Sequence, residues 1–153
     1  MRMVLVAVLA AVSLSGAAGC SSAAAADPLS KTTWRLLKIE SMAPEESPST
    51  VIDDPSKYTV DFGEDGRAAF QIDCNRGSSS FEAAPAPGDS DSGSLTFGAI
   101  AMTKMACLQP SADAKVAAAL GMVRSYLLAD GQLHLSLEAD SGIMHWEPAA
   151  ANG

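Results

Sequence analysis

The chain has 153 residues, with 10 Lys and Arg against 18 Asp and Glu, a formal charge of −8, and 48% hydrophobic residues. That length suits one small domain with a real core. The acidic balance speaks against nucleic acid and against electrostatic docking on anionic lipid, both of which need a basic footprint.

The first element reads as an export signal. Met1-Arg2 is a minimal positive start, Met3 to Leu14 is an apolar run of 12, and Ser15 to Gly19 narrows to small residues before Cys20. Such a run is too short to span a bilayer comfortably. Two cuts compete. Ala17-Ala18-Gly19-Cys20 resembles a bacterial lipobox, which makes residues 1–19 a lipoprotein signal peptide and Cys20 the acylated mature N-terminus. Two acyl chains anchor stably, where one alone is marginal. Ala24-Ala25-Ala26 is instead an A-x-A site for ordinary signal peptidase, which would discard Cys20 and free the domain near Ala26. The lipidated form is the primary reading, because it gives a lone Cys so placed a reason to exist.

Residues 20–31 read as the lipidated Cys followed by a flexible tether. Its 11 residues from Ser21 to Lys31 have no amphipathic period, and they reach at most about 35–40 Å. The expected address is the cell envelope, with the membrane as partner through the lipid. In a Gram-negative cell, Ser21 after the Cys resembles the outer-membrane sorting class, facing the periplasm. Otherwise the anchor lies on the outer face of the cell membrane.

From 32 to 148 the chain alternates with period two. Trp34, Leu36 and Lys38 oppose Arg35, Leu37 and Ile39. Tyr58, Val60 and Phe62 share a face, as do Ala68, Phe70, Ile72 and Cys74. Leu133, Leu135 and Leu137 alternate with His134 and Ser136, and Met144 and Trp146 flank His145. This is the pattern of half-buried antiparallel strands. Glu64-Asp65-Gly66, Asp130-Gly131 and Asp140-Ser141-Gly142 supply hairpin turns between such runs. Ser41 to Ser56 and Ala83 to Ser92, rich in Pro, Asp and Ser, read as irregular surface loops without strand-forming content. After Pro110, a helix is predicted with Ser111 as its cap, Asp113 in its first turn, Val116, Leu120 and Val123 on one face, and Gly121 at its end. One short helix must lie across the sheet or plug a barrel end. The expected fold is mostly β (α+β): an antiparallel meander or incompletely closed barrel with one helix packed on it. Residues 149–153 are a tail. Parity places Trp34, Phe62, Phe70, Leu135 and Trp146 on one buried face.

Four groups of residues carry a resemblance. Tyr58-Thr59-Val60-Asp61-Phe62-Gly63-Glu64-Asp65-Gly66-Arg67 leads to Cys74-Asn75-Arg76. Leu95-Thr96-Phe97-Gly98 and Thr103-Lys104-Met105-Ala106-Cys107 follow, then a helix and a closing hairpin. This order resembles the META domain of HslJ-type bacterial envelope proteins over about Thr32 to Pro148, with Asn75, Thr103 and Met105 as motif positions. The resemblance implies a small, mostly antiparallel β domain with one helix, commonly lipid-anchored or secreted and linked to envelope stress and drug tolerance. The chain departs from the family around Cys74. Gly77 falls two places early, Asp73 stands where a glycine often precedes the Cys, and Phe81 replaces the usual Tyr.

Catalytic parts are missing from the pattern: no nucleophile elbow and no Gly-rich phosphate loop. Asp89-Ser90-Asp91-Ser92-Gly93 resembles the start of a calcium loop, yet Gly93 comes one residue early and Ile100 stands where the closing Glu belongs. His134 and His145 fall on the solvent faces of the last two strands. They can meet across the final hairpin, but with no third His and no free Cys they read as solvent-facing strand residues, not a metal centre. Spread over the strands, the aromatics read as core. Met102, Met105, Met122 and Met144 read either as gap-fillers or as the lining of an apolar slot between helix and sheet. Cys74 and Cys107 are the even pair left in an exported chain, and a disulfide between them is expected. Two separate buried thiols and a redox or metal-binding pair are the alternatives.

The functional expectation is a non-catalytic, membrane-anchored envelope lipoprotein acting in envelope maintenance or stress tolerance through contacts with another envelope protein. It needs no cofactor, no metal and no nucleic acid. The alternative is a carrier of a small apolar, acyl-like ligand.

Overall fold

The computed structural model describes residues 27–149 apart from 44, 46 and 47. The expected signal peptide, Cys20, the Ala24–Ala26 site, the expected tether up to residue 26 and the tail from 150 lie outside the described residues.

Period-two alternation is realised as ten strands: β1 (Thr32–Ser41), β2 (Thr50–Val51), β3 (Tyr58–Phe62), β4 (Arg67–Ile72), β5 (Asn75–Ala86), β6 (Asp89–Phe97), β7 (Ala101–Met102), β8 (Val123–Ala129), β9 (Gln132–Leu137) and β10 (Gly142–Pro148). Among the described residues there is one α-helix, α1 (Asp113–Gly121), which precedes β8. Eight strands pair antiparallel in the order β1-β3-β4-β5-β6-β8-β9-β10, and β10 pairs back onto β1. The predicted meander therefore closes fully into a barrel. Closure leaves no long unpaired edge among these eight. The short β2 rides on β1, and β7 lies beside the first residues of β5.

Alternation sends Trp34, Leu36, Val60, Phe62, Phe70, Leu133, Leu135, Met144 and Trp146 into the interior, as parity predicts. Tyr126 and Leu95 complete the filling from β8 and β6. A cluster of phenylalanines occupies one wall. Phe62 meets Phe81 edge-on at 4.9 Å, and Phe70 meets Phe97 edge-on at 5.2 Å, the arrangement that ring quadrupoles favour. Gly93 lets β6 pass this packing, because a Cβ there would lie 2.2 Å from the Ala84 carbonyl oxygen and 2.8 Å from the Tyr126 ring.

Both barrel ends are closed by chain. At one end lie the turns at Gly66, Gly88 and Asp130-Gly131, together with the entering segment. Here the structure corrects the tether. Asp27–Lys31 is folded, Leu29 is fully buried, and the Lys31 N–H donates to the Phe62 carbonyl at 2.8 Å. The folded unit thus includes Asp27–Lys31 and does not begin at Thr32. At the opposite end α1 inserts Val116, Ala119 and Leu120 into the core. Its cap differs from expectation. Ala112 holds the cap position, while Ser111 Oγ accepts from the Asp113 N–H at 3.3 Å. Tyr58 Oη accepts the Ala112 N–H at 3.1 Å, so the barrel rim fixes where the helix starts. Gly121 is the last helical residue, and Val123 already begins β8.

Three other expectations are revised. Ala83 to Ser92 is not a loop: β5 and β6 form a long hairpin across it, with Pro85 opposite Gly93. Beyond Phe81, β5 has outrun β4 and its far edge is free, which is where a strand tolerates a residue without an N–H. The register of β1 shifts between Leu36 and Lys38, so Ile39, not Lys38, turns inward opposite Met144. In the last hairpin, Ala139 and Asp140 adopt positive φ (53° and 51°), whereas Gly142 is ordinary strand.

Candidate functional site

Cys74 belongs to a two-residue turn between paired Ile72 and Asn75, so it does not continue the inward face of β4 as expected. Asp73 opens the turn at φ 53°, the left-handed conformation that glycine adopts freely and that Asp tolerates. Its N–H donates to the Lys57 carbonyl at 2.8 Å. Cys74 is joined to Cys107 by a disulfide with the Cα atoms 5.5 Å apart. The segment from 98 to 112, which includes a cis Gln109–Pro110 bond, is thereby tied to the turn.

Asn75 completes the clamp. It is only 3% exposed, so its amide must find partners within the protein. Oδ1 accepts from the Met105 N–H at 2.8 Å and from Thr103 Oγ1 at 2.9 Å. Nδ2 reaches the Met105 carbonyl at 3.2 Å, Cys107 Sγ at 3.3 Å and Asp113 Oδ2 at 3.4 Å. The side chain thus pairs with both polar groups of Met105 as a neighbouring strand would. Thr103 adds a second stitch. Its Oγ1 accepts the Arg76 N–H at 3.0 Å, and its own N–H donates to the Arg76 carbonyl at 2.9 Å. The three motif positions and the two cysteines, far apart in sequence, form one structural knot at the helix end of the barrel. Gly77 belongs to it as well, because a Cβ there would lie 3.0 Å from the Ala101 carbonyl oxygen and would push β7 off β5.

The knot is a positioning device. Replacing Asn75 with Asp keeps the shape but removes the donors to Met105 and Cys107 and sets a carboxylate beside Asp113. Both N75A and N75D are expected to lose about 2 kcal/mol in urea unfolding, from the buried partners left unpaired. An N75D protein as stable as the parent would show that the amide is not the pin.

What the knot positions is an apolar groove of about 500 Å³ between the 100–106 segment and α1, lined by Ile100, Met102, Met105, Ala106, Ala114 and Ala117 with Asn75 at its base. Beside it, Met105 is 56% and Leu108 is 92% exposed. The slot reading of the methionines holds for Met102 and Met105. Met144 is core, and Met122 lines a separate recess with Ile39 and Leu137. A more polar cleft of about 400 Å³ lies across the helix, lined by Asp53, Asp54, Lys57, Asp73 and Lys115 among others. Opposite charges share its wall, so it selects neither sign.

On the outer wall, His134 and His145 do meet across the final hairpin, with their Nδ1 atoms 2.9 Å apart. Among the described residues no three His, Cys, Asp or Glu side chains converge as a metal-ligand set. Glu40, unremarked in the sequence, lies with Oε2 3.0 Å from His145 Nε2. Burial, with Lys38 and His134 nearby, lowers the His145 pKa below its ordinary value, against the opposing pull of Glu40. Neither this contact nor the Tyr58–Ala112 bond has a local signal, since each depends on barrel register.

Residues 27–149 match the family described as META domain. No curated protein matches the chain. Among solved structures, an NMR structure of a protein from Burkholderia xenovorans is similar at 20% identity and a TM-score of 0.60, covering 80% of this chain and 84% of that one. The crystal structure of a DUF4847 family protein from Bacteroides vulgatus is similar at 13% identity and a TM-score of 0.54, covering 78% and 94%. At these identities the likeness shows a shared fold.

Proposed function

The chain belongs to the META domain family, and from that footing we propose a non-catalytic envelope lipoprotein, anchored through acyl chains on Cys20 and acting in envelope maintenance through protein contacts. One observation carries this reading. The barrel interior is filled by side chains, while Met105 and Leu108 stand exposed at the end opposite the entry of the chain at Asp27. A tether leaving Asp27 would hold that end away from the membrane, where a partner in the envelope can reach it. Exposed apolar side chains on a rigid, disulfide-clamped segment are the usual material of a contact surface.

Two experiments test the two halves. Cys20→Ser is expected to move the protein from the detergent phase to the aqueous phase on partitioning. A wild-type protein already in the aqueous phase, with Asp27 as its N-terminus, would establish the soluble secreted form instead. For the contact surface, a photoreactive residue in place of Leu108 should give a discrete crosslinked product in envelopes that Met105→Glu abolishes. The same probe in place of Asp65, at the other barrel end, should give none. Equal labelling at both positions would overturn the reading.

The groove favours a second reading, a carrier of a small acyl-like ligand held outside the barrel between Met102, Met105 and α1. Native mass spectrometry of protein purified without detergent separates the two. Added lipid mass supports the carrier, and a bare mass sinks it.

A further inference from the structure

The register of β9 and β10 sets His134 directly opposite His145. Because Leu133, Leu135, Met144 and Trp146 take the interior, both imidazoles leave by the outer wall. Their rings stand at 79° with centroids 4.9 Å apart. With the Nδ1 atoms 2.9 Å apart, one nitrogen carries the hydrogen and the other presents its lone pair. The far side of His145 decides which. Glu40 Oε2 lies 3.0 Å from Nε2, off the line of a straight hydrogen bond but close enough to favour the tautomer protonated there. That leaves a bare Nδ1 lone pair on His145 aimed at His134. A carboxylate behind the outer nitrogen is the usual support of a metal-bound histidine.

We propose that His134 and His145 form a surface site for a borderline divalent cation such as Zn²⁺ or Ni²⁺, with two imidazoles as protein ligands, water completing the shell, and Glu40 orienting His145 from behind. Imidazole nitrogens sit about 2.0–2.1 Å from such ions, so a tetrahedral edge separates them by about 3.3–3.4 Å. The two nitrogens need to part by a few tenths of an ångström, which small χ rotations supply. On binding, the aqua ion gives up two waters. His134 releases its Nδ1 proton and takes one up at Nε2, so the imidazole stays neutral and nothing is oxidised or reduced. Two nitrogen ligands exclude the hard ions Mg²⁺ and Ca²⁺, which require oxygen. Around the pair, Lys38 lies opposite His145 on β1 with its ammonium 2.6 Å from Glu40, and Leu127 lies opposite His134 on β8. The lysine charge opposes a cation, and Glu40 counters it. Affinity is therefore modest and tunable in both directions.

The test is calorimetric titration of the full chain with Zn²⁺ and separately with Ni²⁺, alongside nitrogen chemical shifts of the two rings. One site per chain is expected, with both Nδ1 resonances moving. His134→Gln and His145→Gln should each weaken binding at least tenfold. Glu40→Gln should weaken it several-fold and Lys38→Gln should tighten it. All four side chains sit on the outer wall, and thermal melts would verify that each variant is folded. Binding by either histidine variant equal to wild type overturns the proposal. So does Mg²⁺ competing equally, since an acidic chain that merely gathers cations would not discriminate.

Discussion

Replacing Cys74 and Cys107 together by serine is expected to lower stability by about 3–4 kcal/mol, the chain-entropy value for a closed loop of this length. The two residues are 33 apart in sequence. Once the bond is absent, the denatured chain gains the conformations that the loop had forbidden. It also exposes more surface, so the urea m-value should rise with the loss. A native-state contribution adds to this. The Cys74 N–H and Asn75 Nδ2 both face Cys107 Sγ at 3.3 Å. Without the bond, the side-chain clamp on residues 103–107 rests on Asn75 and Thr103. Amide exchange should then accelerate at Met105, whose N–H donates to Asn75, while remaining slow at the barrel strands. A loss below 1 kcal/mol with an unchanged m-value would mean that the denatured state is already constrained there, and would sink the argument.

The legible parts of the fold are those where each residue has one clear side. β3, β4, β9 and β10 alternate strictly, and parity names their buried residues correctly. Parity fails where the backbone inserts or loses a residue. The register shift in β1 turns Ile39 inward, and a period of two carries no mark of such a shift. The β5–β6 hairpin was hidden for a different reason. Its tip projects past the barrel core, so Glu82, Ser90 and Asp91 are exposed and apolar alternation fades. Proline and aspartate then read as loop. Leu29 is the reverse case, a single apolar residue after an alanine tract. One residue has no period, and only the barrel end that it helps to close explains its burial.

The candidate site was legible as residues but not as geometry. The even cysteine pair and the Cys-Asn and Met-Ala-Cys steps point to one region, and the disulfide and the Asn75 amide realise it. The pairing of Asn75 with the backbone of Met105 joins positions separated by 30 residues. Nothing local in either stretch announces it. The same holds for Glu40 behind His145, which exists because the barrel closes β10 onto β1.

Truncating Trp146 to Ala is expected to be the most damaging single change, about 3–5 kcal/mol. Trp146 lies on β10 opposite Leu36 of β1 on one side and Leu133 of β9 on the other, at the seam where the barrel closes. It is 1% exposed and the largest of the fully buried side chains. Its removal leaves a cavity between strands that are fixed on both sides by hydrogen bonds, so little collapse can refill it. The indole also carries a polar atom. Its buried Nε1 has no acceptor among the described residues, and a buried donor without a partner is itself costly. Trp146→Phe discards that donor along with part of the ring. It is therefore expected to cost much less than Trp146→Ala, with the lost volume partly offset by the desolvated N–H that goes with it. Urea unfolding of the two variants, with near-ultraviolet circular dichroism to follow the packing, measures the difference. Equal losses for Phe and Ala would show that the indole nitrogen is bonded in solution and that the barrel seam depends on it.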